Sequence, residues 1–124
     1  MLIISFGWTT PALFAGRKTV TRRRWAQSHA SKFKAGSLAA AYNHLPRIHG
    51  HRVAIIRILR QPYLEPASQM PPEDFENEGF QFMLEQGLTI DGIQPHVFWE
   101  AWKASSEPLW VVRFQLISRL EQPQ

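Results

Sequence analysis

The sequence contains no cysteine, which excludes a disulfide framework, a thiolate zinc site and a thiol nucleophile, and makes a reducing cytoplasm the expected setting. It also lacks any apolar run long enough to span a bilayer. The apolar start, Met1 to Phe6, stops at Gly7 with no basic residue before it, so neither a signal peptide nor a membrane partner is expected. The five histidines, His29, His44, His49, His51 and His96, show no metal-binding helical spacing and no His-Glu-x-x-His run. No metal site and no cofactor is expected.

The most telling shortage is local: residues 1 to 60 hold no aspartate or glutamate against eleven lysines and arginines. Residues 61 to 124 reverse the balance, with ten carboxylates against three cations, so the two halves carry +11 and −7. A basic half suits a polyanion, because each neutralised phosphate releases condensed counterions. RNA, or a modified nucleoside derived from it, is the partner this favours. The other reading is that the two halves pair with one another in the fold.

At 124 residues, 44% of them hydrophobic and 19% charged, the chain has the size and composition of one globular domain, residues 1 to 124. Residues 2 to 6 read as a strand. Thr10-Pro11 opens a short helix that Gly16 ends, with Thr10 as its cap. Residues 18 to 23 read as extended, with Thr19, Thr21 and Arg23 on one face. Residues 37 to 43 and 52 to 60 are two more strands joined by a loop holding Pro46 and Gly50. Residues 71 to 78 and 80 to 86 form short helices, each followed by a glycine, and Pro95 starts a third running to about Lys103. In that helix Phe98 and Trp102, four apart, share a face. Residues 109 to 117 form the clearest strand, with Trp110, Val112, Phe114 and Leu116 alternating inward. The order predicts an α+β domain whose sheet closes into a small β-barrel with short peripheral helices.

The chemistry concentrates in Gly16-Arg17-Lys18-Thr19-Val20-Thr21-Arg22-Arg23. Glycine allows a sharp reversal, after which an ammonium, a hydroxyl and a guanidinium follow within one short stretch. A desolvated lysine can move protons, and a threonine hydroxyl becomes a nucleophile once a neighbouring base takes its proton. Arg23 is suited to a phosphate or carbonyl oxygen. Lys18 and Thr21 are three apart and do not share a face of an ideal strand, so joint action requires a bend after Gly16. Arg17, Arg22, Arg23 and Arg24 are candidate phosphate contacts, and His49 and His51 lie in a loop where they can reach phosphate. Trp8 and Trp25, flanking the motif, are candidates for stacking on a base. Among the carboxylates, Glu73, Asp74 and Glu76 fall in the first turns of a helix, where the dipole favours them. Glu78 falls at its unfavourable end, which calls for another partner such as Lys18.

The pattern Gly-x-Lys-x-x-(Thr/Ser/Glu)-x-Arg, met by Gly16, Lys18, Thr21 and Arg23, resembles the signature of the ASCH domain, a family of the PUA-like superfamily. The likeness extends to Phe33-Lys34-Ala35-Gly36 and to the final strand, although Ser37 stands where the family usually has aspartate. The resemblance implies a PUA-like β-barrel with a basic cleft suited to RNA. Within the family, the run is similar to that of small bacterial amidohydrolases acting on 4-acetylcytidine. That likeness implies that Lys18 activates Thr21, that Thr21 attacks an amide carbonyl, and that Glu78, or Glu76 two residues away, protonates the leaving amine. Two alternatives stand beside it: a non-catalytic RNA-binding module, and a ribonuclease using the same cleft.

Overall fold

The computed structural model describes residues 1–120. Six strands and five short helices follow one another: β1 (Leu2–Ser5), α1 (Thr10–Phe14), β2 (Val20–Arg23), α2 (Gln27–Ala30), β3 (Leu38–Tyr42), β4 (Arg52–Ile58), β5 (Tyr63–Pro66), α3 (Asp74–Asn77), α4 (Phe80–Glu85), α5 (Pro95–Ser105) and β6 (Pro108–Arg119). The strands form one mixed sheet in the order β1-β3-β4-β6-β2, with β5 also paired to β6. Only β1 and β3 run parallel; the other pairings are antiparallel.

β6 organises the sheet because it is long enough to serve two neighbourhoods. Its first half lies between β2 and β5, and its second half pairs with β4. A register shift sets Ile55 opposite Ser118 and Ile56 opposite Leu116, leaving Ile117 without a partner. Such a bulge bends the strand and increases its twist, curling the sheet into a half-barrel. The α+β small barrel with peripheral helices is therefore the observed architecture.

Two apolar clusters result. One fills the curl, with Ile4, Phe6, Phe33, Ile56, Val112 and Phe114 buried. The other lies under the helices, with Met70, Phe80, Met83, Trp99 and Leu109. β6 feeds both, Leu109 going to the helical side and Val112 and Phe114 to the curl. α1 does the same with Ala12 and Leu13. Its short length is enough because those two neighbours face opposite clusters.

Several expectations need correction in detail. Thr10 does not cap α1; its hydroxyl donates to the Gly7 carbonyl at 2.8 Å, within a 3₁₀ turn over Gly7–Thr9 that precedes the helix. β2 begins at Val20, so Lys18 and Thr19 precede the strand. The helix over 71 to 78 shrinks to α3, since Pro71 and Pro72 lead only a turn. α2 and β5 were not anticipated: both are four residues long and lack a clear apolar period. Trp110 is half-buried, its indole N–H donating to the Trp25 carbonyl at 2.9 Å, and Val111 takes a fully buried place beside it.

Candidate active site

The bend required after Gly16 is present and has identifiable causes. Gly16 adopts φ +78°, and the Arg17 and Lys18 amides both donate to the Ala12 carbonyl, at 3.0 and 3.2 Å. The Thr19 amide donates to Asn77 at 2.7 Å, tying the loop to the end of α3. Lys18 is thus held between two helix ends, ahead of the strand that carries Thr21. Gly79, at φ +88°, completes the junction: a Cβ there would lie 2.4 Å from the Ala12 Cβ and 3.3 Å from the Lys18 Cβ. Gly79→Ala is accordingly expected to destabilise by more than about 1 kcal/mol, read as a lowered urea midpoint.

A cavity of about 420 Å³ opens at this junction. Lys18, Thr21, Arg23 and Glu78 line it, together with Arg22. Phe80, Ile90, Phe98 and Trp102 give it an apolar wall, and Trp8, 59% exposed, stands at its edge with Leu45. A planar ring fits such a setting, because aromatic faces stack on unpaired bases. A larger hollow of about 630 Å³ lies along Phe114 to Arg119 and is bordered by Gly16 and Thr19. Apart from the shared Lys18 and Arg119, its lining carries no ionisable group, so the chemistry belongs to the first cavity.

Lys18, only 1% exposed, donates from Nζ to the Glu78 carbonyl at 2.9 Å and to Glu78 Oε1 at 2.8 Å. Burial pushes its pKa below the ordinary lysine value, against the attraction of Glu78, and Arg23 and Arg22 push the same way as burial. A buried lysine so placed is closer to giving up its proton than one in water. Thr21 is also buried, and its Oγ1 accepts a hydrogen bond from Arg23 Nε at 3.2 Å. Arg23 crosses the Phe6 ring at 5.5 Å and has no carboxylate partner among the described residues. Burial lowers its pKa, with Glu78 opposing. Its terminal nitrogens make no hydrogen bond to a described residue, and neither does the buried Nε of Arg22. The structure thus brings Lys18, Thr21, Arg23 and Glu78 together, and it separates Glu78 from Glu76, which faces Arg17.

Other candidates lie differently. Arg22, expected as a phosphate contact, is buried and donates to Glu78 Oε2 at 2.7 Å, Asp74 Oδ2 at 2.5 Å and Glu65 Oε1 at 2.9 Å. Burial opposes its charge, but these three carboxylates outweigh burial and raise its pKa above the ordinary arginine value. Arg17 is engaged by Glu76 and Glu85, and Arg24 by Glu107 at 2.7 Å. Trp25, expected as a stacking platform, is already stacked on Phe33 at 4.6 Å with His29 against its edge, so its face is occupied by protein. Trp8 keeps a free face at the cavity. His49 and His51 remain exposed in their loop. Among the described residues no group of three or more His, Asp or Glu side chains is arranged to hold a metal ion.

The charge network extends past the residues that the sequence singled out. Asp74, fully buried, accepts from Arg113 at 3.0 and 2.8 Å, from Arg22, and from Asn77 at 3.1 Å. Burial alone would raise its pKa, but the hydrogen bonds from Arg113, Arg22 and Asn77 hold it below the ordinary aspartate value. The i, i+4 spacing of Asp74 and Glu78 was the sequence signal for this, since it sets both on the side of α3 that Arg22 meets. A folded-state pKa below the unfolded one contributes stability above the unfolded value and loses it as pH falls through the folded one. The stability gap between the parent and Asp74→Asn is therefore expected to be widest near neutrality and to close below about pH 4, as read from urea unfolding at several pH values.

The arrangement defines a class: a curled α+β half-barrel with an aromatic-walled cleft and a buried lysine–glutamate pair at its floor. No protein-family model matches the sequence, and no curated protein does. Among solved structures, the fold is similar to the crystal structure of protein EF3133 from Enterococcus faecalis V583, which carries the family description DUF984. The TM-score is 0.58 at 16% identity, over 99% of this chain and 84% of that one. At that identity the likeness concerns the fold alone. No helix among the described residues is long and apolar enough to cross a membrane.

Proposed function

We propose that this is an ASCH-type, PUA-like domain whose cleft hydrolyses the amide of an acylated cytidine. The observation that carries the reading is the contact of Lys18 Nζ with Glu78 Oε1 at 2.8 Å, on the floor of a cavity that also contains the Thr21 hydroxyl. Neutral Lys18 takes the Thr21 proton, and Oγ1 attacks the acyl carbon. The tetrahedral oxyanion meets the free nitrogens of Arg23. The carbon–nitrogen bond then breaks, and the exocyclic amine of cytidine leaves with the proton held by Lys18. Water, activated by the same lysine, releases the acyl group from Thr21. Glu78 accepts from Lys18 on Oε1 and from Arg22 on Oε2. Its part is therefore to orient Lys18, with the proton carried by the lysine. Trp8 and the Phe98–Trp102 wall receive the base.

Incubation of the pure protein with free 4-acetylcytidine is the direct test, with cytidine and acetate as the expected products. Absence of both products at micromolar enzyme would overturn the reading.

A non-catalytic RNA-binding module is the second reading, favoured by one observation: Lys32, Lys34, Arg47 and Arg52 are exposed, with no ion-pair partner among the described residues. If they form the RNA surface, affinity for single-stranded RNA falls steeply with salt, and neutralising Arg47 and Arg52 together lowers the slope of log K against log salt by about 1 to 2. Neutralising Arg24, which Glu107 already holds, is expected to change the slope less.

A further inference from the structure

The cleft floor carries more fixed charge than the hydrolysis itself requires. Glu78 faces two cations, Lys18 on Oε1 at 2.8 Å and Arg22 on Oε2 at 2.7 Å. Arg22 is locked in turn by Asp74 and Glu65, and Asp74 is braced from behind by Arg113, whose Nε donates to the Tyr63 hydroxyl at 3.0 Å. The Arg22 side chain is only 1% exposed, so this is an interior structure, distinct from a solvated ion pair.

Two cations on one buried carboxylate raise the question of which can release a proton. A guanidinium cannot, whereas an ammonium in a desolvated site can. If Arg22 were absent, loss of the Lys18 proton would leave Glu78 as a bare carboxylate in the interior, a costly state, and the proton would stay on Lys18. With Arg22 present, Glu78 keeps a charged partner whether Lys18 is an ammonium or an amine.

We propose that Arg22 is a positioning residue: locked by Asp74 and Glu65, it holds the second oxygen of Glu78 as a permanent counter-charge, and so frees Lys18 to release and regain a proton. The inference deepens the reading of Lys18 as the base, and rests on it for its catalytic meaning. The charged and titratable groups that face Lys18 agree with it. β2 supplies Arg22 and Arg23 as well as the Thr21 hydroxyl, and the end of α3 supplies Glu78 with Asp74 behind it. β5 and β6 act only through Arg22 and Asp74, by way of Glu65, Tyr63 and Arg113. α1 and α4 contribute the uncharged Ala12 and Phe80.

The experiment is a pH titration of the full chain labelled with carbon-13 at lysine Cε, following the Lys18 resonance in the parent, Arg22→Met and Arg22→Lys. Arg22→Met is expected to raise the Lys18 midpoint by about one pH unit or more, because Glu78 then depends on the lysine alone. Arg22→Lys should give a smaller rise, since one ammonium cannot hold three carboxylates at once. The acidic limb of kcat for 4-acetylcytidine should move upward with the midpoint, with KM changed little. A folded Arg22→Met protein with an unmoved Lys18 midpoint overturns the proposal. Should Arg22→Met fail to fold, the likewise uncharged Arg22→Gln decides in its place, and an unmoved midpoint there overturns the proposal equally. A shifted midpoint in a protein that never releases cytidine removes the amidase reading while the relation between Arg22 and Lys18 stands.

Discussion

Thr21→Ala is expected to lower kcat/KM for 4-acetylcytidine by roughly a thousandfold or more, a loss of about 4 kcal/mol of transition-state stabilisation, while leaving the fold intact. The substitution removes one hydroxyl whose observed bond is to Arg23 Nε at 3.2 Å, so little structure depends on it. Thr21→Ser keeps the nucleophile and should retain measurable turnover. Lys18→Met keeps the buried stem, removes the ammonium and should match the loss in Thr21→Ala. Lys18→Arg should be equally inactive, because a guanidinium does not give up its proton. Combining Lys18→Met with Thr21→Ala should cost little more than either alone, since groups that act as one unit are not additive. The measurement is initial velocity of cytidine release, with thermal melts as the folding control. Turnover by Thr21→Ala at the parental rate sinks the nucleophile assignment.

The same residues show where the sequence was readable. Gly16 stood out as a helix stop, and Lys18 and Thr21 followed it at a spacing that demanded a bend. Two amides sharing the Ala12 carbonyl make the bend at the end of α1, and the hydrogen bond from the Thr19 amide to Asn77, which depends on the tertiary placement of α3, holds it. β6 and α5 were legible from long, regular apolar periods, and Phe98 and Trp102 do meet, at 5.0 Å. Short elements escaped. α2 and β5 are each four residues long, too few for a period to emerge, and they form because β6 and the aromatic pair of Trp25 and Phe33 hold them. Glu65 and Arg113 escaped with them, since nothing local marks a strand residue as the distant holder of a buried arginine.

Charge asymmetry was legible in amount and incomplete in meaning. An acid-free half of +11 invites a polyanion, yet Arg17, Lys18, Arg22 and Arg24 are matched by Glu76, Glu85, Glu78, Asp74, Glu65 and Glu107 from the other half. Pairing between the halves therefore accounts for much of the asymmetry near the motif. It also changes what those cations do. Arg22 is withdrawn from any phosphate and bound into the support of Glu78, and Arg23 is left without a carboxylate partner among the described residues. The exposed Arg24–Glu107 pair contributes little stability, because water and salt screen it.

Phe114→Ala is expected to destabilise the protein by about 3 to 5 kcal/mol, the range for emptying a large aromatic site in a packed core. Phe114 is 1% exposed and meets Phe6 edge-to-face with ring centroids 5.5 Å apart. It sits opposite Ile58 on β4, and its amide donates to the Thr19 carbonyl at 3.0 Å, next to the cleft-forming loop. The cavity left behind would therefore loosen Phe6, and with it the ring that Arg23 crosses. Ile117, three residues further along the same strand, is 44% exposed and lies at the bulge, so Ile117→Ala should stay within about 0.5 kcal/mol. The contrast tests which face of β6 points inward, because alternation along the strand sets Phe114 and Ile117 on opposite faces. Urea unfolding followed by tryptophan fluorescence measures both variants. A cost under about 1 kcal/mol for Phe114→Ala would mean that this face of β6 is not the inner face of the barrel.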